Sequence, residues 1–63
     1  MCLSSVYRDA PARENLLAAD VALIETEGKT VTLTDLFGRK TTVEGSILRA
    51  DLTGGVVILR TEA

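Results

Sequence analysis

A chain of 63 residues with 46% hydrophobic and 25% charged side chains is long enough for one small folded domain and too apolar for a disordered segment. It has one cysteine, no histidine and a formal net charge of −2. These features exclude an intrachain disulfide, an imidazole general base and a strongly basic nucleic-acid surface. We therefore expect a single domain over residues 1–63 that is not an enzyme.

The N-terminal half of the sequence predicts short strands separated by turns. Alternating side chains from Cys2 to Arg8 indicate a first strand, which ends before Pro11 because proline removes an N–H and fixes φ. The stretch from Arg13 to Asp20 has good helix formers but is short, and we interpret Asn15 to Leu17 as a brief strand. Val21 to Glu25 predicts the next strand.

The C-terminal half alternates more regularly. Val31 and Leu33 lie on one face of a predicted strand and threonines on the other, as in a half-buried antiparallel strand. Thr41 to Leu52 is long for one strand, and Gly45 in its middle predicts a bend or bulge. The glycines of Thr53 to Gly55 then favour a tight hairpin turn. The whole pattern predicts an all-β antiparallel meander that closes into a small barrel.

The last predicted strand, Val56 to Leu59, is apolar on both faces, so both faces should be covered. Two covers are equally compatible with the sequence, namely a second subunit and the segment from Asp9 to Asp20. A purely structural subunit that used this strand as its interface would become monomeric on substitution of Val57→Asp.

Cys2 is the candidate metal ligand of the chain. A soft thiolate favours nickel, copper(I), zinc or an iron–sulfur centre, and the thiol and backbone nitrogen of one residue can chelate one ion. Two such residues across a two-fold axis would supply two sulfurs and two nitrogens, a set that suits Ni(II). The nitrogen is the amine of Cys2 if Met1 is removed, and its amide if Met1 stays. The more common alternative for a lone cysteine is a small buried hydrophobe.

Other functional classes have weaker signals. Glu25 and Glu27 indicate a solvated rim rather than a catalytic pair, and the one adjacent basic pair, in Gly38 to Lys40, is typical of a hairpin tip. We do not expect nucleic-acid binding, although an Sm-like RNA-binding or protein-adaptor module without metal remains the alternative. The first residues lack the charge and apolar pattern of a signal peptide or membrane span, so we expect a cytoplasmic protein.

Four stretches together resemble the CooT-type nickel-binding proteins. They are Met1-Cys2 followed at once by a strand, VTLTDLFG (31–38), VEGSI (43–47) and ADLTGGVVIL (50–59). The resemblance implies a homodimeric SH3-like or Sm-like barrel of about six or seven strands. It also implies one Ni(II) held at the dimer interface by Cys2 of each chain. The implied role is that of a metallochaperone or nickel carrier or storage protein, with a nickel enzyme such as carbon monoxide dehydrogenase as its client.

Overall fold

Five strands form one closed barrel in the computed structural model of the chain, which describes residues 3–61. The elements in chain order are β1 (Ser4–Arg8), a 3₁₀ turn (Arg13–Asn15), β2 (Leu16–Glu27), β3 (Thr30–Asp35), β4 (Lys40–Asp51) and β5 (Val56–Thr61). Consecutive strands pair antiparallel, and β1 closes the ring by pairing in parallel with β5. The predicted small all-β barrel is thereby confirmed.

The core lies inside the barrel and consists of aliphatic side chains. It contains a buried cluster of six residues, Val6, Val21, Val31, Leu33, Val57 and Leu59. The predicted alternation in β3 is confirmed, because Val31 and Leu33 are each 1% exposed while Thr32 between them is only half-buried. Successive side chains of a strand point to opposite faces, so each strand contributes only alternate residues to this interior.

The barrel has five strands rather than the six or seven that the resemblance implies. Of the strand predicted at Asn15 to Leu17, only the two leucines are extended, because Asn15 ends the 3₁₀ turn. These leucines and the strand predicted at Val21 to Glu25 are parts of one strand, β2. Asp20 lies between them with φ 56°, a left-handed conformation that aspartate tolerates better than most residues. A kink of this kind bends a strand without ending its pairing, so one long strand serves where two were expected.

Gly45 allows the other long strand, β4, to lie close against neighbouring backbone. A Cβ at this position would overlap the Arg60 carbonyl oxygen of β5 and lie 2.9 Å from its carbonyl carbon. The Gly45 N–H also donates to the Lys29 carbonyl oxygen at 2.6 Å. Three backbone segments therefore meet at a point where only glycine fits. The middle of this strand does contain a bulge, but it lies between Ile47 and Arg49 rather than at Gly45.

The apolar strand β5 is covered mainly by its own chain. Val57 and Leu59 point into the barrel, while Ile58 points outwards and is still only 9% exposed. Pro11 and Ile58 line the same shallow cavity of about 220 Å³, which supports the segment after β1 as part of the outer cover. The interface assignment to Val57 is wrong, because aspartate there would enter the core rather than a contact between subunits.

Candidate functional site

Cys2, the candidate ligand, lies outside the described residues, as does the predicted start of the first strand. The backbone that follows it is held in place by the turn before β5. The Ser5 N–H donates to the Gly55 carbonyl oxygen at 2.8 Å. Gly55 has φ 69°, and a Cβ there would lie 3.1 Å from the Leu3 carbonyl oxygen. Glycine at this position therefore serves the turn and also lets the N-terminal backbone approach closely.

The chain has a single thiol and no imidazole. Within residues 3–61, no three His, Cys, Asp or Glu side chains come together in a way that would hold a metal ion. Thiolate ligation would therefore depend on Cys2, because carboxylates and carbonyls suit harder cations.

Two turns flank the point where the N-terminal backbone enters the barrel. On one side Ser4 pairs with Val21, which pairs with Asp35 at the end of β3. On the other side Ser5 pairs with Val56, which pairs with Asp51 at the end of β4. Neighbouring strands are about 4.8 Å apart. The β3–β4 and β4–β5 turns therefore each begin within about 10 Å of the first residues of β1.

The β3–β4 turn is held by the side chain of Asp35. Its Oδ1 accepts hydrogen bonds from the Phe37 and Arg39 backbone N–H groups, each at 2.9 Å, and its Oδ2 accepts one from Arg39 Nε at 2.8 Å. The Leu36 N–H donates to the Asp20 carbonyl oxygen at 2.9 Å, which ties the turn to the kink in β2. An aspartate that bonds backbone N–H groups two and four residues ahead is a strong local restraint on a turn.

The electrostatics of Asp35 follow from these bonds. Partial desolvation raises the pKa of this carboxyl, but the hydrogen bonds from the Arg39 backbone, the Arg39 side chain and the Phe37 backbone lower it by more. The charge of Arg39 lowers it further, so the pKa lies below the usual value of an aspartate. Each of these bonds favours the ionised form, and Asp35 is a carboxylate at neutral pH.

Phe37 is presented to solvent on this restrained turn. Its ring is 73% exposed, and Arg39 Cζ lies 5.4 Å from the ring centroid, within cation–π range. Leu36 beside it is 53% exposed, and Leu52 in the β4–β5 turn is 72% exposed. We call Leu36, Phe37 and Leu52 the apolar rim, because they lie on the two turns that flank the N-terminal entry.

The sequence interpretation did not find the apolar rim. It assigned Gly38 to Lys40 to a solvated hairpin tip and overlooked the role of Arg39 in holding Phe37. The sequence did contain a signal for this turn. Phe37 and Arg39 follow Asp35 by two and four residues, a spacing at which an aspartate side chain can accept hydrogen bonds from the backbone of its own turn. Glu25 and Glu27, by contrast, are exposed as predicted, on an open surface shared with threonines of β2 and β3.

The described residues thus define a small closed β-barrel, and in the sequence the single thiol comes one residue before the first of them. Among these residues, no helix has the length and apolar character needed to cross a membrane. The family model described as CO dehydrogenase accessory protein CooT matches residues 1–60. The chain therefore belongs to the CooT family. A comparison with individual curated proteins gives no match.

Membership in this family implies an accessory role to carbon monoxide dehydrogenase. An accessory role fits a protein that is not itself a catalyst, and it fits a partnership with that enzyme. The family resemblance predicted from four stretches of the sequence is thereby confirmed.

Proposed function

We propose that this protein is a homodimeric nickel carrier that supports the maturation of carbon monoxide dehydrogenase. One Ni(II) is shared by two chains, and each chain supplies the Cys2 thiolate and a backbone nitrogen of Cys2. The observation that carries the proposal is the match to the family of CO dehydrogenase accessory proteins over residues 1–60, in a chain whose one thiol is Cys2. Nickel is the cargo in this scheme, and the barrel carries the ligands.

The donor set explains why two chains are needed. One chain offers one thiolate and no imidazole, which is too few strong donors for a closed site. Two sulfur and two nitrogen donors match the square-planar preference of Ni(II), whereas Zn(II) prefers a tetrahedral site richer in thiolate or imidazole. Free thiolates persist in a reducing compartment, so the proposal places the protein in the cytoplasm.

The position of Leu3 supports this use of Cys2. The hydrogen bond from the Ser5 N–H to Gly55 holds the start of β1 three residues after the thiol, and Gly55 leaves room for the Leu3 carbonyl oxygen. A ligand that follows directly from an ordered strand loses less conformational freedom on binding than one at the end of a long free segment.

A Ni(II) titration of the reduced protein tests the proposal, with absorbance read in the thiolate-to-nickel charge-transfer region. We expect saturation at one nickel per two chains and loss of the band in Cys2→Ser. Ser46→Cys in the Cys2→Ser background is the matched control, because it restores one thiol at the exposed surface of β4 without restoring the site. Full nickel affinity in Cys2→Ser would refute the proposal.

A metal-free RNA-binding module is the alternative function, and one observation favours it. Phe37 is exposed beside Arg39, and exposed aromatics with a basic neighbour are used to stack single-stranded bases. A gel-shift experiment with single-stranded RNA at low salt separates the two functions. A shift that weakens with salt and is lost in Phe37→Ala would support the alternative, and the absence of a shift would remove it.

A further inference from the structure

The second half of β4 has an open edge. This strand pairs with β3 over residues 40–44 and with β5 over residues 45–51. On the side that faces away from β5, no strand among residues 3–61 therefore pairs with residues 46–51. The burial pattern agrees, because residues 46–50 are all exposed, whereas a strand with one covered face alternates between buried and exposed side chains.

The side chains along this edge are aliphatic and basic. Ile47 and Leu48 are 44% and 45% exposed. Arg49 is exposed on the same strand, and Arg60 is exposed on β5, where it pairs with Ser46. Within the described part of the chain, neither arginine forms an ion pair with a carboxylate. Guanidinium groups without an internal partner favour a ligand that carries carboxylates.

We propose that residues 46–51 form a docking edge for an extended segment of a partner protein in which acidic and aliphatic side chains alternate. The segment adds a strand to the barrel and pairs its backbone with the open edge of β4, as in β-augmentation. Charge complementarity with Arg49 and Arg60 selects the acidic side chains. Contact with Ile47 and Leu48 selects the aliphatic ones. The inference does not depend on the proposed nickel site.

The register of β4 and β5 gives the spacing of the acidic side chains. Ser46 pairs with Arg60, and Arg49 pairs with the residue two positions before Arg60. These two pairs form rows about 6.6 Å apart, since a strand rises about 3.3 Å per residue. Acidic residues at positions i and i+2 of the added strand then face Arg49 and, across the small side chain of Ser46, Arg60. The residue between them lies on the opposite face, which Ile47 shares with its buried pairing partner Leu59.

A protein segment fits this edge better than two other anionic ligands. Single-stranded nucleic acid uses aromatic side chains to stack its bases, and none of residues 46–51 is aromatic. Anionic membranes attract clusters of about four to eight Lys and Arg, whereas the edge is flanked by Arg49 and Arg60. An extended peptide alone makes use of the open backbone groups. The match to a family of proteins accessory to an enzyme also favours a protein partner.

Fluorescence anisotropy with a labelled synthetic peptide of alternating Glu and Val residues tests the inference, in the presence of a chelator. We expect saturable binding that weakens by about tenfold or more in Arg49→Glu. Lys40→Glu is the matched control, because it changes the charge equally at the other end of β4, where the side chain is also exposed. Its affinity for the peptide should be unchanged. Circular dichroism checks folding, and Arg60→Glu decides the result if Arg49→Glu does not fold.

Two further measurements test the addition of a strand. A peptide with Pro in place of its central Val keeps the acidic residues but lacks an N–H for the ladder, so it should bind about tenfold more weakly or worse. Amide hydrogen exchange with the parent peptide bound should slow at residues 46–51. Equal binding of the two peptides, or unchanged exchange at residues 46–51, would overturn the inference.

The remaining outcomes are equally decisive. Equal loss of affinity in Arg49→Glu and Lys40→Glu would show general attraction to a basic surface and would overturn the inference. Tighter binding of single-stranded RNA or of anionic vesicles, lost in Arg49→Glu, would assign the edge to that ligand instead. Failure to bind the peptide would also overturn it and leave the arginines as charges that guard an open edge against aggregation. The proposed function is judged separately, because Arg49→Glu should bind nickel as the parent protein does.

Discussion

Replacement of Leu33 by alanine tests whether the barrel interior is the source of stability. Leu33 is 1% exposed in the centre of the buried cluster, and its strand is paired on both sides. Leu→Ala at such a site costs about 2–5 kcal/mol, since the transfer free energy is lost and a cavity remains. A chain of this length has a free energy of unfolding of about 3–9 kcal/mol. At the middle of these two ranges, the substitution removes about half of the stability.

The assay is chemical and thermal unfolding followed by circular dichroism, at one protein concentration and with a chelator to exclude metal binding. At about 4–8 °C per kcal/mol for a small domain, Leu33→Ala should lower Tm by about 10 °C or more. Leu48→Ala is the matched control, because the same atoms are removed from a side chain that is 45% exposed. Equal losses in the two variants would refute the assignment of Leu33 to a closed core.

Two further predictions follow from single contacts, and a third follows from the proposed ligand. Gly45→Ala should destabilise the barrel by about 1–3 kcal/mol, measured by urea unfolding, because the new Cβ meets the Arg60 backbone; an unchanged midpoint would contradict the close approach. Asp35→Asn should lower Tm at neutral pH. The difference in Tm from the parent protein should shrink as pH falls below 3.8, because the stability that comes from the lowered pKa of Asp35 is lost when this carboxylate is protonated. A difference in Tm that does not change with pH would show that ionisation of Asp35 does not matter. Nickel affinity should rise with pH between about 6 and 8, because the Cys2 thiol and nitrogen release protons on binding; a flat titration series would exclude thiolate ligation.

The alternation of Val31 and Leu33 could be predicted because it depends on local sequence alone. Every second side chain of β3 faces one interior, whichever strands lie beside it. Gly45 could be predicted for a similar reason, since a glycine within a long apolar strand usually marks a bend or a close approach. The ring of five strands could not be counted from the sequence, because the kink at Asp20 is compatible with a break as well as with a bend.

The residues that lie next to the N-terminal backbone could not be predicted from the sequence. Leu3 lies beside Gly55 because β1 and β5 pair in parallel, and these residues are far apart in the chain. Propensity and periodicity describe one strand at a time, and they contain no information about which strands pair across a barrel. The same limit applies to Phe37, whose exposure depends on the pairing of β3 with its neighbours and on the bond from Leu36 to Asp20.

The small size of the barrel links its folding to its proposed function. A domain of 63 residues buries a modest fraction of its surface and has little stability to spare, so the proposed association of two chains would stabilise the fold as well as assemble the site. Any ligand that binds only the native dimer adds RT ln(1 + [L]/Kd), about 2.7 kcal/mol at a hundredfold excess over Kd. Nickel should then raise Tm in the parent protein and leave Cys2→Ser unchanged, while dilution lowers Tm in both. A nickel-induced rise of equal size in Cys2→Ser would mean that the stabilising ion binds somewhere other than the thiol.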